Sequence, residues 1–505
     1  MTIDILFVHP NASKKIYQDL SKDHSAIEPP IWAAMLANHC RSRNISPAIL
    51  DCEVEKYSTE LSVAAIISAN PKVACFVVYG QQPSASSQNM QGAIDTARLL
   101  KLTDPSITTL FVGGHVSGLP RDVLRDHEDC IDFICQNEGV YTISNLLTAM
   151  KSGTFDKRKI KGLGYMEDGH PVLNQPEIVV PKKLLSTDLP GMAWDLLPDL
   201  SRYRTAGWHS WTNDSDKSPF GALYTSLGCP FKCSFCMINI INRTDNSPGI
   251  ASADSNVFRF WEPEFIINQF DEMAKMGVKN VKIADELFVL NPRHFIKVCD
   301  MLIERDYGFN IWAYSRIDTC KPKYLDKLKE AGVNWLGLGI ENPSTVLRKE
   351  IHKDGFKEVR IFDVLESIEQ AGINPASNYI FGLPMDTKES MEETLQFAMD
   401  NVSPMANFYC AMAYPGSPLH LQAKKKGWEL PSSYSGYSQH SYDTLNLSND
   451  NLTAAEILKF RDEAWMKYHT NPEYLKLLET KFGLKARKNV EDTTKIKLKR
   501  KLLGD

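Results

Sequence analysis

The sequence lacks the long apolar runs that cross a membrane. No apolar stretch reaches the roughly 18 residues that a transmembrane helix needs. The chain begins Met1-Thr2-Ile3-Asp4, and this early acidic residue does not suit the basic and apolar regions of a secretory signal. Charge of one sign is not in excess either, because 57 Lys and Arg residues stand against 62 Asp and Glu residues. These absences predict a cytoplasmic protein with no membrane span and no nucleic-acid partner.

Two phosphate-binding patterns are also missing. No GxGxxG follows the first apolar run, and no GxxxxGK[ST] lies near it, so the sequence does not favour a dinucleotide or triphosphate site there. What is present is an ordinary globular composition, 43% hydrophobic and 24% charged over 505 residues. This length and composition predict two or three domains with substantial cores.

Strand and helix signals alternate through the first 150 residues and again from Ala222 to about Pro418. Apolar strands separated by helices predict parallel sheets that are covered on both faces and bind ligands at the carboxyl ends of their strands. The predicted fold class is therefore α/β. Its parts are a Rossmann-like doubly wound domain over 1–150, a connector over 151–221, a partial (β/α)6 barrel over 222–420, and a mixed, largely helical region over 421–505.

Three of the eleven cysteines form the most specific pattern in the chain. Cys229, Cys233 and Cys236 have CxxxCxxC spacing directly after the first strand of the second domain. Three thiolates on one tight loop can ligate three irons of a [4Fe-4S] cluster and leave the fourth iron open. A structural zinc site is less favoured, because no second CxxC or nearby CxxH supplies the remaining ligand. The other cysteines lack such spacing and are predicted to be small core residues: Cys40, Cys52, Cys75, Cys130, Cys135, Cys299, Cys320 and Cys410.

With this motif, the second domain resembles the radical S-adenosylmethionine (SAM) superfamily. In that family CxxxCxΦC binds a [4Fe-4S] cluster, and the amino and carboxylate groups of SAM chelate the open iron. The resemblance extends to the ends of later strands and implies SAM contacts from Asp285, Glu286, Arg316 and Glu341. Taken alone, these residues allow other roles: the first two could cap a helix, Arg316 could form a structural ion pair with Asp318, and Glu341 could support its neighbours.

The upstream α/β domain resembles the cobalamin-binding domain of cobalamin-dependent radical SAM enzymes. The resemblance rests on the domain arrangement, on Gly113-Gly114-His115, and on Asn137-Glu138-Gly139, where many relatives have an acidic GEGE-like run. It implies cobalamin contacts from the loops at the strand ends, namely Tyr79, Gly80, Gln81, Gly113, Gly114, His115 and Glu138.

One motif of some cobalamin enzymes is absent from this sequence. The DxHxxG pattern, which supplies a histidine to cobalt, does not occur, and many of the radical SAM relatives also lack it. We therefore expect cobalt without a histidine ligand, and His115 as either a polar contact to the cobalamin tail or a loop residue. The absence of the motif also leaves open that this domain has lost cobalamin.

Together the resemblances imply a cobalamin-dependent radical SAM methyltransferase. One SAM would methylate cob(I)alamin, and a second would yield a 5′-deoxyadenosyl radical that abstracts hydrogen from an unactivated substrate carbon. The substrate radical would then take the methyl group from methylcobalamin. The expected partners are a small-molecule or peptide substrate, bound between the two domains, and an electron donor such as flavodoxin or ferredoxin.

Four alternatives stay open at this point. The same cofactors could catalyse cyclisation or rearrangement instead of methylation. A radical SAM reaction without cobalamin is the second alternative, and a non-catalytic iron–sulfur or cobalamin sensor is the third. The fourth is a zinc-stabilised interaction domain, which protein carrying iron and little zinc would exclude. The residues do not identify the substrate, and no catalytic side chain is assigned from them.

Overall fold

The computed structural model describes most of the chain, and the structural statements below refer to that part. The described residues are 3–80, 85–153, 155–214, 216–238, 258–353 and 360–505. Gln81, one of the predicted cobalamin contacts, lies outside them. Within these ranges no helix combines the length and the apolar character needed to span a membrane.

The first sheet is built from seven strands. They are β1 (Ile5–His9), β2 (Pro47–Asp51), β3 (Val73–Val77), β4 (Thr108–Val112), β5 (Phe133–Cys135), β6 (Leu163–Glu167) and β7 (His170–Leu173). Their order is β2-β1-β3-β4-β5-β6-β7, with the first five parallel and the last two antiparallel. The predicted doubly wound fold is confirmed, and its strand order reverses between β1 and β3, where such folds have their binding crevice.

Side chains of one strand enter two different cores, which explains the continuous apolar runs. Ile5 and Phe7 of β1 pack into one buried cluster, whereas Leu6 and Val8 pack into a second cluster on the opposite face. Helices therefore cover both faces. The helices of this part are α1 (Ser13–Tyr17), α2 (Ile31–Ser42), α3 (Thr59–Ala69), α4 (Ala85–Thr103), α5 (Gly114–Gly118), α6 (Pro120–Asp126), α7 (Val140–Ser152) and α8 (Leu185–Asp188).

The segment predicted as a connector has two structural roles. Its residues 163–173 form β6 and β7, so the first sheet continues past residue 150. Trp208 and Trp211, farther along, pack against Trp312, Trp335 and Phe482 in an aromatic cluster. These connector tryptophans are therefore core residues.

The second sheet contains six parallel strands, and a short antiparallel pair accompanies it. The strands are β8 (Phe220–Leu223), β9 (Ser226–Leu227), β10 (Arg259–Phe260), β11 (Asn280–Ile283), β12 (Asn310–Arg316), β13 (Val333–Glu341), β14 (Asn374–Phe381) and β15 (Met405–Cys410). The sheet order is β15-β14-β13-β12-β11-β8, and β9 pairs with β10. This sequential order of parallel strands confirms the predicted partial barrel.

Helices follow the barrel strands and cover their outer face. They are α9 (Pro263–Lys275), α10 (Pro292–Arg305), α11 (Pro322–Glu330), α12 (Thr345–Glu350), α13 (Ile361–Gln370) and α14 (Lys388–Asp400). The first three begin with proline, whose fixed φ suits the first helical position and whose missing N–H costs nothing there.

The C-terminal region packs on the last barrel strand. Its helices are α15 (Pro418–Lys426), α16 (Ala454–His469), α17 (Pro472–Phe482) and α18 (Leu484–Thr494). A capping box between Thr453 and Glu456 starts α16, and Arg461 of that helix donates to the Phe408 carbonyl of β15 at 2.8 Å. Arg500, near the chain end, is buried and pairs with Asp462, so the terminal segment is fastened to α16.

The carboxyl ends of both sheets face one another. Buried Lys282 at the end of β11 pairs with Glu28 of the first domain at 3.1 Å. A side chain on Gly118 of α5 would lie 2.9 Å from the Pro415 carbonyl that follows β15. Loops that project from the strand ends of the two domains therefore form one shared junction.

Candidate active site

The three motif cysteines lie on a loop that the rest of the barrel holds in place. All three are half-buried free thiols. The Cys236 amide donates to the Cys233 carbonyl. The backbone of Ser234, between them, donates to the Ile351 carbonyl and accepts from the Leu419 amide. Burial raises the pKa of Cys229 and Cys233, and that of Cys236 to about 12, because it removes the thiolates from water. Iron bound by these thiolates would supply a positive charge that lowers these pKa values.

A separate group of possible metal donors lies in the first domain. Among the described residues, the donor atoms of His127, Asp129 and Cys130 lie within 4.8 Å of one another. The motif cysteines belong to the barrel instead.

Arg316 joins the end of β12 to the cysteine loop. Its guanidinium pairs with Asp318 at 2.9 Å, lies 3.8 Å from the centroid of the Phe231 ring, and approaches the Cys233 sulfur at 3.9 Å. Arg316 therefore forms the ion pair with Asp318 and at the same time lies close to a motif cysteine. This arrangement holds a buried cation beside the loop.

Glu341 ends β13 in an unusual backbone conformation. Its φ is +63°, in the left-handed region that non-glycine residues rarely adopt. The carboxylate forms a buried ion pair with Lys353. Gly339 makes this possible, since a Cβ there would lie 2.5 Å from the Lys353 amine and 2.6 Å from the Glu341 carboxylate.

Asp285 and Glu286 follow β11 but differ in their surroundings. Asp285 accepts three hydrogen bonds at 2.6 Å, from the Thr225 amide and from the hydroxyls of Thr225 and Ser226. Its carboxylate thus ties β11 to the turn between β8 and β9. Burial, opposed by these hydrogen bonds, raises the pKa of Asp285 to about 6.

Glu286 has a buried oxygen that no other group satisfies. Its Oε2 lacks a hydrogen-bond partner in the part of the chain that the structure describes. Burial, with a smaller contribution from the Asp285 charge, raises the pKa of Glu286 to about 8. The Arg259 cation opposes this rise only in part, so the buried oxygen is a position where a cationic ligand would stabilise the carboxylate.

One cavity contains residues from both domains. Trp32, Tyr79, Gly80, Ser86 and Gly114 line it from the first domain, and Tyr224, Met237 and Glu286 line it from the barrel side. Trp32 stacks on Tyr79 with ring centroids 4.4 Å apart, and the Tyr79 hydroxyl donates to the Asn137 carbonyl at 3.0 Å. The cavity is thus lined by three predicted cobalamin contacts, Tyr79, Gly80 and Gly114. One predicted SAM contact, Glu286, lines the same cavity.

Gly113 and Gly114 are adjacent but serve different purposes. A Cβ on Gly113 would lie 2.5 Å from the carbonyl of Val78, the residue after β3. A side chain at this position would therefore collide with the backbone. A Cβ on Gly114 would instead lie 3.2 Å from the Met237 methyl group, a flexible side-chain end within the cavity. Gly114 is therefore the residue whose small size keeps the cavity open.

His115 is buried beside the C-terminal region. Its ring nitrogen Nδ1 lies 2.9 Å from the Ser87 hydroxyl, and its ring meets the edge of Tyr434 at 5.0 Å. Burial, with the nearby His420 and His127, lowers the pKa of His115 to about 3. The imidazole is therefore neutral and is held by the protein itself.

Glu138 does not line the shared cavity. Both its oxygens accept from Arg259 in a buried ion pair. One of them, Oε2, also accepts from the Val180 amide at 3.0 Å. The structure therefore gives this predicted cobalamin contact a partner within the protein. The Glu138 carboxylate would have to leave these partners before it could bind a ligand.

Sequence reasoning did not single out several residues at this junction. Trp32 and Tyr224 line the cavity, and Lys353 neutralises Glu341. A signal existed for Tyr224, which follows the first barrel strand at the end that binds ligands. None existed for Lys353, because its partner Glu341 is twelve residues earlier, on the other side of α12.

Two family models match the chain. The radical SAM superfamily model matches residues 223–398, and the B12 binding domain model matches residues 24–147. The second interval contains Trp32, Tyr79, Gly80, Ser86 and Gly114 of the shared cavity, and the first contains the cysteine motif and Glu286.

Curated relatives share most of the chain at low identity. An uncharacterized methyltransferase of Pyrococcus horikoshii is 25% identical over 453 residues, which are 88% of this chain and 89% of the relative. An anaerobic magnesium-protoporphyrin IX monomethyl ester cyclase of Rubrivivax gelatinosus is 23% identical over 491 residues, 94% of this chain and 79% of the relative.

A solved structure has the same fold. The radical S-adenosylmethionine methyltransferase TsrM from Kitasatospora setae, with tryptophan substrate and a SAM analogue bound, aligns with a TM-score of 0.65 at 14% identity. The alignment covers 97% of this chain and 99% of that chain.

The two glycines should respond differently to alanine. We expect Gly113→Ala to destabilise the chain by about 3 kcal/mol, because the added methyl group meets a backbone carbonyl. Gly114→Ala should change the free energy of unfolding by less than about 1 kcal/mol, since the Met237 side chain can move. Thermal unfolding of the cofactor-free chain measures both, and equal losses would contradict the separate roles.

Lys353 should contribute to stability through Glu341. Lys353→Met leaves a buried carboxylate without its cation and should cost about 3 kcal/mol. The double variant Lys353→Met with Glu341→Gln should recover most of this loss, because no lone charge remains. Lys327→Met is the matched control, since it breaks the exposed pair with Asp300 and should cost under about 1 kcal/mol. A Lys353→Met loss no larger than the control would contradict the assignment.

Acid should destabilise the first domain through His115. Because the folded pKa is lowered from 6.5 to about 3, the unfolded chain takes up a proton that the folded chain refuses as pH falls below 6.5. This one group should lower stability by about 2 kcal/mol at pH 5 relative to neutral pH. Unfolding of His115→Gln should lack that contribution, whereas the exposed control His170→Gln should follow the parent chain. Identical pH dependence in all three would contradict the buried neutral imidazole.

Proposed function

Because the chain belongs to the cobalamin-dependent radical SAM enzyme family, we propose that it transfers a methyl group to an unactivated carbon of a small molecule or peptide. The observation that carries this proposal is the cavity shared by Gly80 and Gly114 of the B12-matching domain and Glu286 of the radical SAM domain. Methyltransferase is also the printed activity of the Pyrococcus relative and of TsrM.

The cysteine loop fits a [4Fe-4S] cluster. Cys229, Cys233 and Cys236 would ligate three irons, and their raised thiol pKa values would fall on iron binding, since the metal supplies the missing positive charge. Arg316 beside Cys233 adds a fixed cation that favours the thiolate form.

The strand ends of the barrel fit SAM. The unsatisfied Glu286 oxygen would accept the SAM ammonium group, whose charge offsets the burial of this carboxylate. Arg316 and the Glu341–Lys353 pair present both signs of charge to a zwitterionic ligand. Asp285 is fully hydrogen-bonded within the chain, and we assign it to positioning Glu286 rather than to direct contact.

The edge of the first sheet fits cobalamin. Gly80 and Gly114 present backbone without a side chain to the cavity, so a ligand could approach the chain closely there, and Trp32 and Tyr79 add a rigid aromatic wall. When bound, the cluster and SAM supply a 5′-deoxyadenosyl radical, and cobalamin carries the methyl group. The chain's part is to hold the cofactors and substrate in register and to keep water away.

We place the substrate between the two domains. Tyr314 and Tyr409 stay half-buried at barrel strand ends. Burial, together with the carboxylates of Glu53 and Glu28 and the phenols of Tyr409 and Tyr414, raises the pKa of Tyr17, so these groups converge on one region. Phenols and carboxylates that converge at the junction suit a polar organic substrate.

The electron donor is a further part of the proposal. We propose a low-potential protein such as flavodoxin or ferredoxin, acting in the cytoplasm. Eleven free cysteines suit a reducing compartment.

One observation favours a second activity. The relative from Rubrivivax, 23% identical over 94% of this chain, is a cyclase. The same cofactor sites would serve cyclisation, so the two activities differ in whether the methyl group of SAM leaves.

The products of SAM distinguish the two activities. A methyltransferase should yield S-adenosylhomocysteine and 5′-deoxyadenosine in equal amounts when anaerobic enzyme, reductant, cobalamin and substrate mixtures from cell extract are combined. SAM with a trideuterated methyl group should also raise the mass of one extract component by the labelled methyl. Mass spectrometry of the quenched reaction measures all three.

A control variant tests where this chemistry occurs. Replacing Cys229, Cys233 and Cys236 together by Ala should abolish 5′-deoxyadenosine while leaving cobalamin retention intact, because the first sheet is untouched. Formation of 5′-deoxyadenosine without S-adenosylhomocysteine would contradict methyl transfer and support the cyclase alternative. Retained 5′-deoxyadenosine in the triple variant would contradict the cluster assignment.

A further inference from the structure

A buried ion pair crosses the junction beside the shared cavity. Glu138 follows β5 of the first domain, and Arg259 begins β10 of the second; the side chain of each is 2% exposed or less. Arg259 donates to one Glu138 oxygen at 3.2 Å and to the Val180 carbonyl at 2.6 Å, and it pairs closely with the other oxygen. The two domains and the connector therefore meet at one guanidinium.

Arg259 leads directly to the cysteine loop. In the antiparallel pair of β9 and β10, Arg259 stands opposite Leu227, which is two residues before Cys229. Gly228 lies between them with a φ of +92°, and its backbone hydrogen-bonds the Glu286 carboxylate. A displacement of Arg259 would therefore be passed to the first cluster cysteine and to Glu286.

Glu138 leads to the cavity wall of the first domain. The preceding residue, Asn137, has a φ of +57° and accepts the Tyr79 hydroxyl at 3.0 Å. The following residue, Gly139, has a φ of +76°, and a Cβ there would lie 2.6 Å from Val112. Glu138 is therefore held from both sides in a backbone that leaves little freedom, and Tyr79 is attached to it.

We propose that Glu138 and Arg259 are positioning residues that hold the cobalamin-side wall at Tyr79 and the cluster loop at Cys229 in a fixed relation. The inference rests on the proposed function, because a fixed relation between the two sites matters for catalysis only when both cofactors act together. A directional pair suits this role better than apolar contact, since its hydrogen bonds specify orientation as well as distance. Small displacements of reacting groups reduce rates strongly.

The neutral pair Glu138→Gln with Arg259→Gln tests this positioning, because it removes the ion pair without leaving a lone buried charge. In the chain without cofactors, hydrogen exchange should become faster by about tenfold in two segments, 135–141 and 222–229, and stay unchanged in α16. The matched control is Arg158→Gln with Glu167→Gln, which removes an exposed pair within the first domain. Unchanged exchange in both segments, or a uniform increase throughout the chain, would overturn the proposal.

Paramagnetic distance measurement tests the consequence in the loaded enzyme. Pulsed resonance between cob(II)alamin and the reduced cluster should give a narrow distance distribution in the parent chain and a broad one in the neutral pair, with both cofactors still bound. A narrow distribution in the neutral pair would overturn the proposal.

These measurements separate the inference from the function on which it rests. A chain that binds no cobalamin contradicts the proposed function, while the exchange experiment still decides whether the pair couples the two segments. If the neutral pair fails to hold the cofactors, the exchange experiment on the chain without cofactors decides: faster exchange confined to the two segments supports the proposal, and unchanged exchange overturns it.

Discussion

Charged side chains are buried away from water at the junction of the two sheets. The need to compensate these charges is the constraint on which the site depends. Each buried charge needs a counter-charge or several hydrogen bonds, or folding loses several kcal/mol. Glu138 meets this need with Arg259, and Glu341 meets it with Lys353. Glu286 does not. The position left unsatisfied is the one where the proposed function needs a cationic ligand.

The fold and the metal motif were predictable because their signals are local. Alternating residues of β1 enter two cores, and such strands produce continuous apolar runs that read as parallel sheet. The spacing of Cys229, Cys233 and Cys236 lies within eight residues, so no long-range contact is needed to recognise it. Strands β6 and β7 lie in the predicted connector, because short antiparallel strands carry a weak pattern and β7, at the sheet edge, is partly exposed.

Contacts between distant segments could not be predicted in the same way. Glu138 and Arg259 are 121 residues apart, and the sequence around either residue does not indicate that the other is its partner. Gly113 and Gly114 look equivalent in sequence, yet one faces the Val78 carbonyl and the other the Met237 side chain. Trp32 reaches the cavity only because the barrel packs over the first sheet. Such roles depend on how two domains meet, which the residue pattern within either domain does not encode.

The central claim is that one chain holds a cluster and cobalamin at a shared junction. Anaerobic reconstitution with iron and sulfide, titration with hydroxocobalamin, and desalting before visible absorption and metal analysis test this most directly. The account predicts about four irons and one cobalamin retained per chain, with the spectrum of cobalamin that lacks a coordinated base. Retention of the cluster without cobalamin would contradict it and reduce the first domain to a scaffold.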